Sequence, residues 1–168
     1  MEIRTKNSYQ TYLSDFMKFD IFVICPNCNK KAIVKPDEFS FSVSENNSTK
    51  VICLNCGYSK KLLEKPVSII YSDKNNKIIG RQYKIGEGID PYFYLPLWYS
   101  VNFDNHLLWA YNNEHIEFLK SHIVAKLRER NIQEISNQSL GSRLPKWMNT
   151  NKNREPLLNI LTELQNKK

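Results

Sequence analysis

No apolar run in the chain approaches the roughly 20 residues that a bilayer span requires, and the first stretch breaks its apolar residues with Glu2, Arg4, Lys6, Asp15 and Lys18. Neither a transmembrane helix nor a secretion signal is expected, and the chain reads as cytoplasmic, with no membrane partner. Histidine is scarce, with three residues, and cysteine stops at four. Gly86-Glu87-Gly88 has no further glycine at dinucleotide spacing and opens no helical pattern, so it is not read as a nucleotide loop. No internal repeat is visible. What is present is enough for a core: 41% of the 168 residues are hydrophobic and 12% aromatic, which argues against disorder throughout.

All four cysteines fall in two Cys-x-x-Cys pairs, Cys25-Pro26-Asn27-Cys28 and Cys53-Leu54-Asn55-Cys56, with 24 residues between them. A two-residue gap lets both sulfurs of a pair face one ion from a tight turn, and two such pairs supply the four ligands of a tetrahedral zinc. The turn residues suit this geometry, since Pro26 fixes φ while Asn29 and Gly57 tolerate the left-handed conformation. The alternatives for these residues are a redox pair or buried free thiols, and a disulfide framework does not fit a chain without a secretion signal. One structural Zn2+ on Cys25, Cys28, Cys53 and Cys56 is the expectation.

Four thiolates around a divalent ion take four charges away and return two, so the formal +7 becomes +5. The excess sits at the two ends: residues 1 to 35 hold six Lys or Arg against three acids, and residues 120 to 168 hold ten against four. Such modest basicity suits a phosphate backbone or an acidic protein, and equally an ordinary solubilising surface.

Along the chain, Tyr9, Leu13, Phe16, Met17 and Phe19 sit near helical spacing, and Ile21 to Ile24 reads as a strand entering the first Cys pair. Lys31 to Val34, Phe39 to Val43 and Lys50 to Ile52 are strand-like, with a turn at Asn46-Asn47-Ser48. A ribbon of this size buries little apolar surface by itself, so metal binding energy becomes folding energy. From Pro66 the pattern is a hairpin, Val67 to Ser72 and Ile78 to Ile85 around a polar turn. Residues 90 to 99 follow, with five aromatics in the eight residues from Tyr92 to Tyr99 and two prolines; this predicts an irregular connector whose rings either fill a joint or stack on a partner. Leu107 to Tyr111 reads as a strand or the approach to a helix. Ile116, Leu119, Ile123 and Leu127 form one stripe on a helix from Glu114 to Arg130, capped by Asn112 or Asn113, with Lys126, Arg128 and Arg130 suiting its C-terminal end. A short helix around Leu140 to Met148 and a last one from Asn153, with Pro156 in its first turn, complete the chain.

The expected fold is therefore α+β: a zinc-ribbon domain with its N-terminal helix and strand over 1–65, then an α+β domain over 66–168 that begins with the hairpin and ends in three helices. No enzyme is expected. Four cysteines fill the zinc tetrahedron and leave no position for a water. His106, His115 and His122 have no cysteine left as a partner, and Asp104, His106 and Ser100 are near in sequence without any implied geometry. Candidate contacts for a partner are Lys30, Lys31, Lys35, Lys60 and Lys61 around the ribbon, Tyr92 and Trp98 in the aromatic stretch, and Arg143, Lys146, Lys152 and Arg154 around Trp147.

Several words of this sequence carry a resemblance. They are the paired Cys motifs, Asp90-Pro91-Tyr92-Phe93 with Leu95-Pro96-Leu97-Trp98, Leu108-Trp109-Ala110-Tyr111-Asn112, Lys126-Leu127-Arg128-Glu129-Arg130, and Ser139-Leu140 with Ser142-Arg143-Leu144-Pro145-Lys146-Trp147 and Lys152-Asn153-Arg154-Glu155. Together they resemble a group of small bacterial proteins with a transcription-factor-B-type zinc ribbon. Relatives often carry cysteines between the two tryptophans; here Val101 to Asn105 has none, so no second metal site is carried over. The helicase label sometimes attached to the group is not supported by any helicase motif in this chain. The resemblance implies a fold and a metal, and the toxin genes near some relatives imply an immunity or antitoxin role. Two functions follow as expectations: a nucleic-acid-associated ribbon, and a module that binds and neutralises a protein partner such as a toxin.

Overall fold

The computed structural model describes residues 4–5, 10–37, 48–63, 67–81, 83–125, 127–128 and 139–168. In chain order the elements are β1 (Arg4–Thr5), α1 (Leu13–Phe16), β2 (Ile21–Ile24), β3 (Lys31–Lys35), β4 (Lys50–Ile52), β5 (Ser59–Lys61), β6 (Val67–Ser72), β7 (Lys77–Arg81), β8 (Tyr99–Phe103), β9 (His106–Ala110), α2 (Asn113–Val124), β10 (Leu127–Arg128), α3 (Leu140–Arg143), a 3-10 turn (Lys146–Asn149) and α4 (Asn151–Gln165). The fold is α+β, with a four-cysteine cluster on the N-terminal strands and helices at the C-terminal end. The chain forms two compact units, Met17–Tyr111 and Met1–Phe16 with Asn112–Lys168.

In the unit Met17–Tyr111, β2, β3, β4 and β5 form an antiparallel sheet in that order. Alternation decides its two faces. Ile21, Val23, Ala32, Val34 and Val51 are fully buried on one, while Phe22, Ile24, Lys31, Ile33 and Ile52 on the other are half-buried. The outer edge of β2 is closed: Ile24 N–H donates to the Pro96 carbonyl at 2.8 Å and Trp98 N–H to the Phe22 carbonyl at 2.9 Å. Strands β6 and β7 make the expected hairpin, ending at Arg81 rather than Ile85, with a register irregularity between Ile69 and Tyr71. The expected strand Phe39 to Val43, the turn residues Asn46 and Asn47, and Pro66 lie outside the described residues.

A second hairpin, β8 with β9, was not expected in full. Its signal is the pair Asp104-Asn105, at φ 43° and 63°, the two-residue turn whose twist matches that of paired strands. The pairing places Ser100 opposite Trp109 and His106 opposite Phe103, at different ends of the ladder, so these residues form no catalytic cluster.

The aromatic stretch is core. Tyr92 and Trp98 are 3% and 6% exposed, and the Tyr92 hydroxyl donates to the Met17 carbonyl at 3.1 Å, so neither ring faces a partner; this corrects their placement among the candidate contacts. The exposed ring is Tyr94, held at a left-handed φ of 60°. Asp90 organises this segment. One carboxylate oxygen accepts the N–H groups of Tyr92 and Phe93 at 2.9 and 2.8 Å, and the other accepts Leu95 N–H at 2.6 Å. Burial pushes the Asp90 carboxyl up, against the downward pull of these donors. Gly88 also serves packing, since a Cβ there would stand 2.7 Å from Leu107 Cδ2.

In the other unit, the Asn112 side chain caps α2 by accepting His115 N–H at 3.0 Å. The helix ends at Val124, not near Arg130. Ala125 turns extended, and Leu127–Arg128 instead pairs in parallel with Arg4–Thr5. Two β-branched residues, Ile123 and Val124, weaken the last turn, and the strand supplies an alternative for the backbone. Of the cationic run, Arg128 lies in this strand rather than at a helix end, and Lys126 and Arg130 lie outside the described residues. Similarly α1 is a single turn, and Tyr9 lies outside the described residues. Helix α4 starts two residues before the expected Asn153, which puts Pro156 beyond the first turn; Leu157, Leu161 and Leu164 are its buried face. His115 and His122 are both buried; His115 stacks on Phe16 at 4.7 Å, and burial pushes its pKa down to about 3, which fixes it as a neutral core ring. Lys120 Nζ donates to Gln165 Oε1 at 2.6 Å, tying α2 to α4.

Replacing Asp90 by Ala orphans three N–H groups, each costing about 1–3 kcal/mol when buried without an acceptor. Urea unfolding of Asp90→Ala should show a loss of about 3 kcal/mol or more, with Asp90→Asn, which keeps one acceptor oxygen, losing less.

Candidate metal centre

Both Cys pairs are cut to one pattern. Cys25 N–H donates to the Lys30 carbonyl at 2.8 Å and Asn29 N–H returns to the Cys25 carbonyl at 3.0 Å; Cys53 N–H donates to the Tyr58 carbonyl at 2.7 Å and Gly57 N–H returns to the Cys53 carbonyl at 3.0 Å. The residue after each second cysteine takes the left-handed conformation, Asn29 at φ 57° and Gly57 at φ 75°, as the sequence implied. One knuckle joins β2 to β3 and the other joins β4 to β5. Pairing of β3 with β4 then brings the two together.

The four Sγ atoms lie within 4.8 Å of one another, all four thiols free. Cys25 to Cys56 spans 3.7 Å and Cys28 to Cys53 spans 3.6 Å. Sulfurs about 2.3 Å from a tetrahedral zinc are about 3.8 Å apart, so the cage fits that ion. The cluster is positioned to chelate a metal ion, and among the described residues it is the one group of three or more such side chains. Cys25 and Cys53 are buried, Cys28 is half-buried and Cys56 exposed.

The electrostatics of the metal-free site differ from cysteine to cysteine. Desolvation pushes the Cys53 thiol up to about 11, where it can donate to the Lys31 carbonyl oxygen at 3.7 Å. A hydrogen bond from the Asn27 side chain, joined by the Tyr58 backbone N–H, pulls Cys56 down to about 6. The mirror contact also exists: Asn55 Nδ2 donates to Cys28 Sγ at 3.5 Å. Each knuckle thus sends the asparagine before its second cysteine to the second cysteine of the other knuckle. This pair was missed in the sequence, although the repeated Cys-x-Asn-Cys was visible.

The other candidate residues separate. Lys30 is exposed beside the first knuckle. Lys31 is half-buried and folded over the Phe22 ring, 3.9 Å from its centroid, and desolvation lowers its pKa. Lys60 and Lys61 are exposed but, as neighbours on a strand, point to opposite faces. Arg143 and Lys146 are exposed and Arg154 half-buried, all in the helical unit. Compared with known protein families, curated proteins and solved structures, the chain matches none.

Two outcomes test the centre. Metal binding must expel every thiol proton that the cage holds at neutral pH, that of Cys53 included, so zinc affinity should fall at least about tenfold per unit as pH drops, and more steeply below about 6 where Cys56 also takes a proton. Competition with a chromogenic chelator across that range measures both slopes. Asn55→Asp keeps the shape but removes the donor, and should weaken zinc binding or speed its release about tenfold, with a shift in the thiolate charge-transfer band of the cobalt form.

Proposed function

We propose that the protein is a non-catalytic, cytoplasmic zinc-ribbon binding protein that associates with nucleic acid through basic surface. Four thiolates complete the coordination sphere of a zinc held by Cys25, Cys28, Cys53 and Cys56, so the ion orders strands and offers no position to a substrate. Membership of the small bacterial zinc-ribbon group is part of this reading and rests on the sequence words given above. No helix among the described residues is long and apolar enough to cross a membrane.

The observation that carries the nucleic-acid reading is β5. All three of its residues are exposed, and neither Lys60 nor Lys61 has a carboxylate partner among the described residues. Free cations on a rigid, metal-anchored sheet suit phosphate. Arg143, Lys146 and Arg154 supply a second basic region in the helical unit. The second reading, a protein that binds and neutralises a toxin, is favoured by a different feature: Ile69, Tyr71, Ile78 and Ile79 on β6 and β7 are 48% to 54% exposed, an apolar display of the kind that protein interfaces use.

Fluorescence anisotropy with labelled DNA and RNA oligonucleotides decides between them. Binding at low salt that declines steeply as salt is added is expected. No affinity for either polymer, together with recovery of a protein partner insensitive to nuclease, would replace the first reading by the second.

A further inference from the structure

Strand register aligns three lysines that are far apart in sequence. Lys35 on β3 stands opposite Lys50 on β4, and Lys50 stands opposite Lys61 on β5. Directly opposed residues project from the same face, so these side chains form one row across the strands, about 10 Å from end to end by backbone spacing. All three are exposed, and none pairs with a carboxylate among the described residues. Like charges opposite each other destabilise a sheet. Lysine on an edge strand guards against unwanted pairing, but that role would need only β5, whereas Lys35 and Lys50 lie on interior strands.

The next row on the same face, about 7 Å nearer the knuckles, is apolar: Ile33 opposite Ile52, with Phe22 beside Ile33 and Ser59 beside Ile52. Ile33, Ile52 and Phe22 are half-buried, leaving part of each at the surface. A nucleotide has the same order of parts, a charge at one end and a ring face at the other, joined by a sugar. A duplex shows its phosphates and hides its ring faces, which would leave the isoleucine row unmatched.

We infer that the outer face of the ribbon is a binding site for single-stranded nucleic acid, whose backbone crosses the strands along Lys35, Lys50 and Lys61 while its bases lie over Ile33 and Ile52. This rests on the nucleic-acid reading above and sharpens it. Lys50 enters the site through its register alone, Lys31 is left on Phe22, and Lys60 falls on the other face.

The test uses the full zinc-loaded chain with labelled oligo-dT and a mixed-sequence duplex of equal length, titrated over a range of salt. Oligo-dT should bind at least about tenfold tighter than the duplex. Each phosphate contact to a single strand contributes about 0.7 to the slope of log affinity against log salt, so Lys35→Gln, Lys50→Gln and Lys61→Gln together should flatten it by about 2. The same charge change at Lys74, Lys77 and Lys168, which lie outside the row, should leave the slope near wild type. Ile52→Thr, which keeps the β-branch, should weaken oligo-dT binding at an unchanged slope. Zinc content and the unfolding midpoint of each variant confirm that it is folded. Equal or tighter duplex binding, or equal effects of the two triple variants, overturns the inference and leaves the nucleic-acid reading standing. Absence of binding to both polymers at low salt, or binding to an acidic protein alone, overturns both.

Discussion

The four-sulfur cage is the constraint on which the ribbon depends. A sheet of strands three to five residues long buries one face, from Ile21 to Val51, and cannot cover the other. Folding free energy has to come from elsewhere, and structural zinc sites supply it on the scale of about 10 kcal/mol. The knuckles are placed to deliver it where it is needed: each turn ties the ends of two consecutive strands, and a metal held by the four sulfurs would tie the two turns. Because each asparagine reaches over to the other knuckle's outer thiol, neither half of the cage is complete without its counterpart.

A sheet held this way tolerates features that its packing alone would disfavour. Three lysines in one row repel across the strands, and they sit at the end of the sheet away from the knuckles. Rigidity would serve the binding proposed for this row. Flexible lysines on a loop would have to be ordered by whatever they bind, whereas strands present them at a fixed spacing. On the opposite face Ile21, Val23, Ala32, Val34 and Val51 are fully buried, and the outer edge of the sheet at β2 is closed by the segment around Pro96 and Trp98.

How much of this was legible depends on how local each signal is. The cysteine spacing, Asn29 and Gly57 reported turn geometry directly, because a tight turn is decided by the few residues inside it. The hairpin from Val67 and the cap at Asn112 were legible for the same reason. Helix α2 was read too long: the stripe through Leu127 continues the helical period, but pairing with Arg4–Thr5 claims that residue's backbone, and such pairing has no local mark. The rings of Tyr92 and Trp98 suited core and interface equally, since an aromatic side chain serves either. What settled them was enclosure, including a hydrogen bond to Met17, 75 residues away.

By itself the sequence determined the four cysteines of the cage, the conformation of the turns that carry them, and three of the four strands beside those turns, all properties of short segments. Only the tertiary structure decided that Lys35, Lys50 and Lys61 form a row, that Asn27 and Asn55 cross between knuckles, and that the aromatic stretch is enclosed. The physical reason is register: which residues stand opposite one another depends on how distant strands align, and a shift of one position would turn each lysine to the other face.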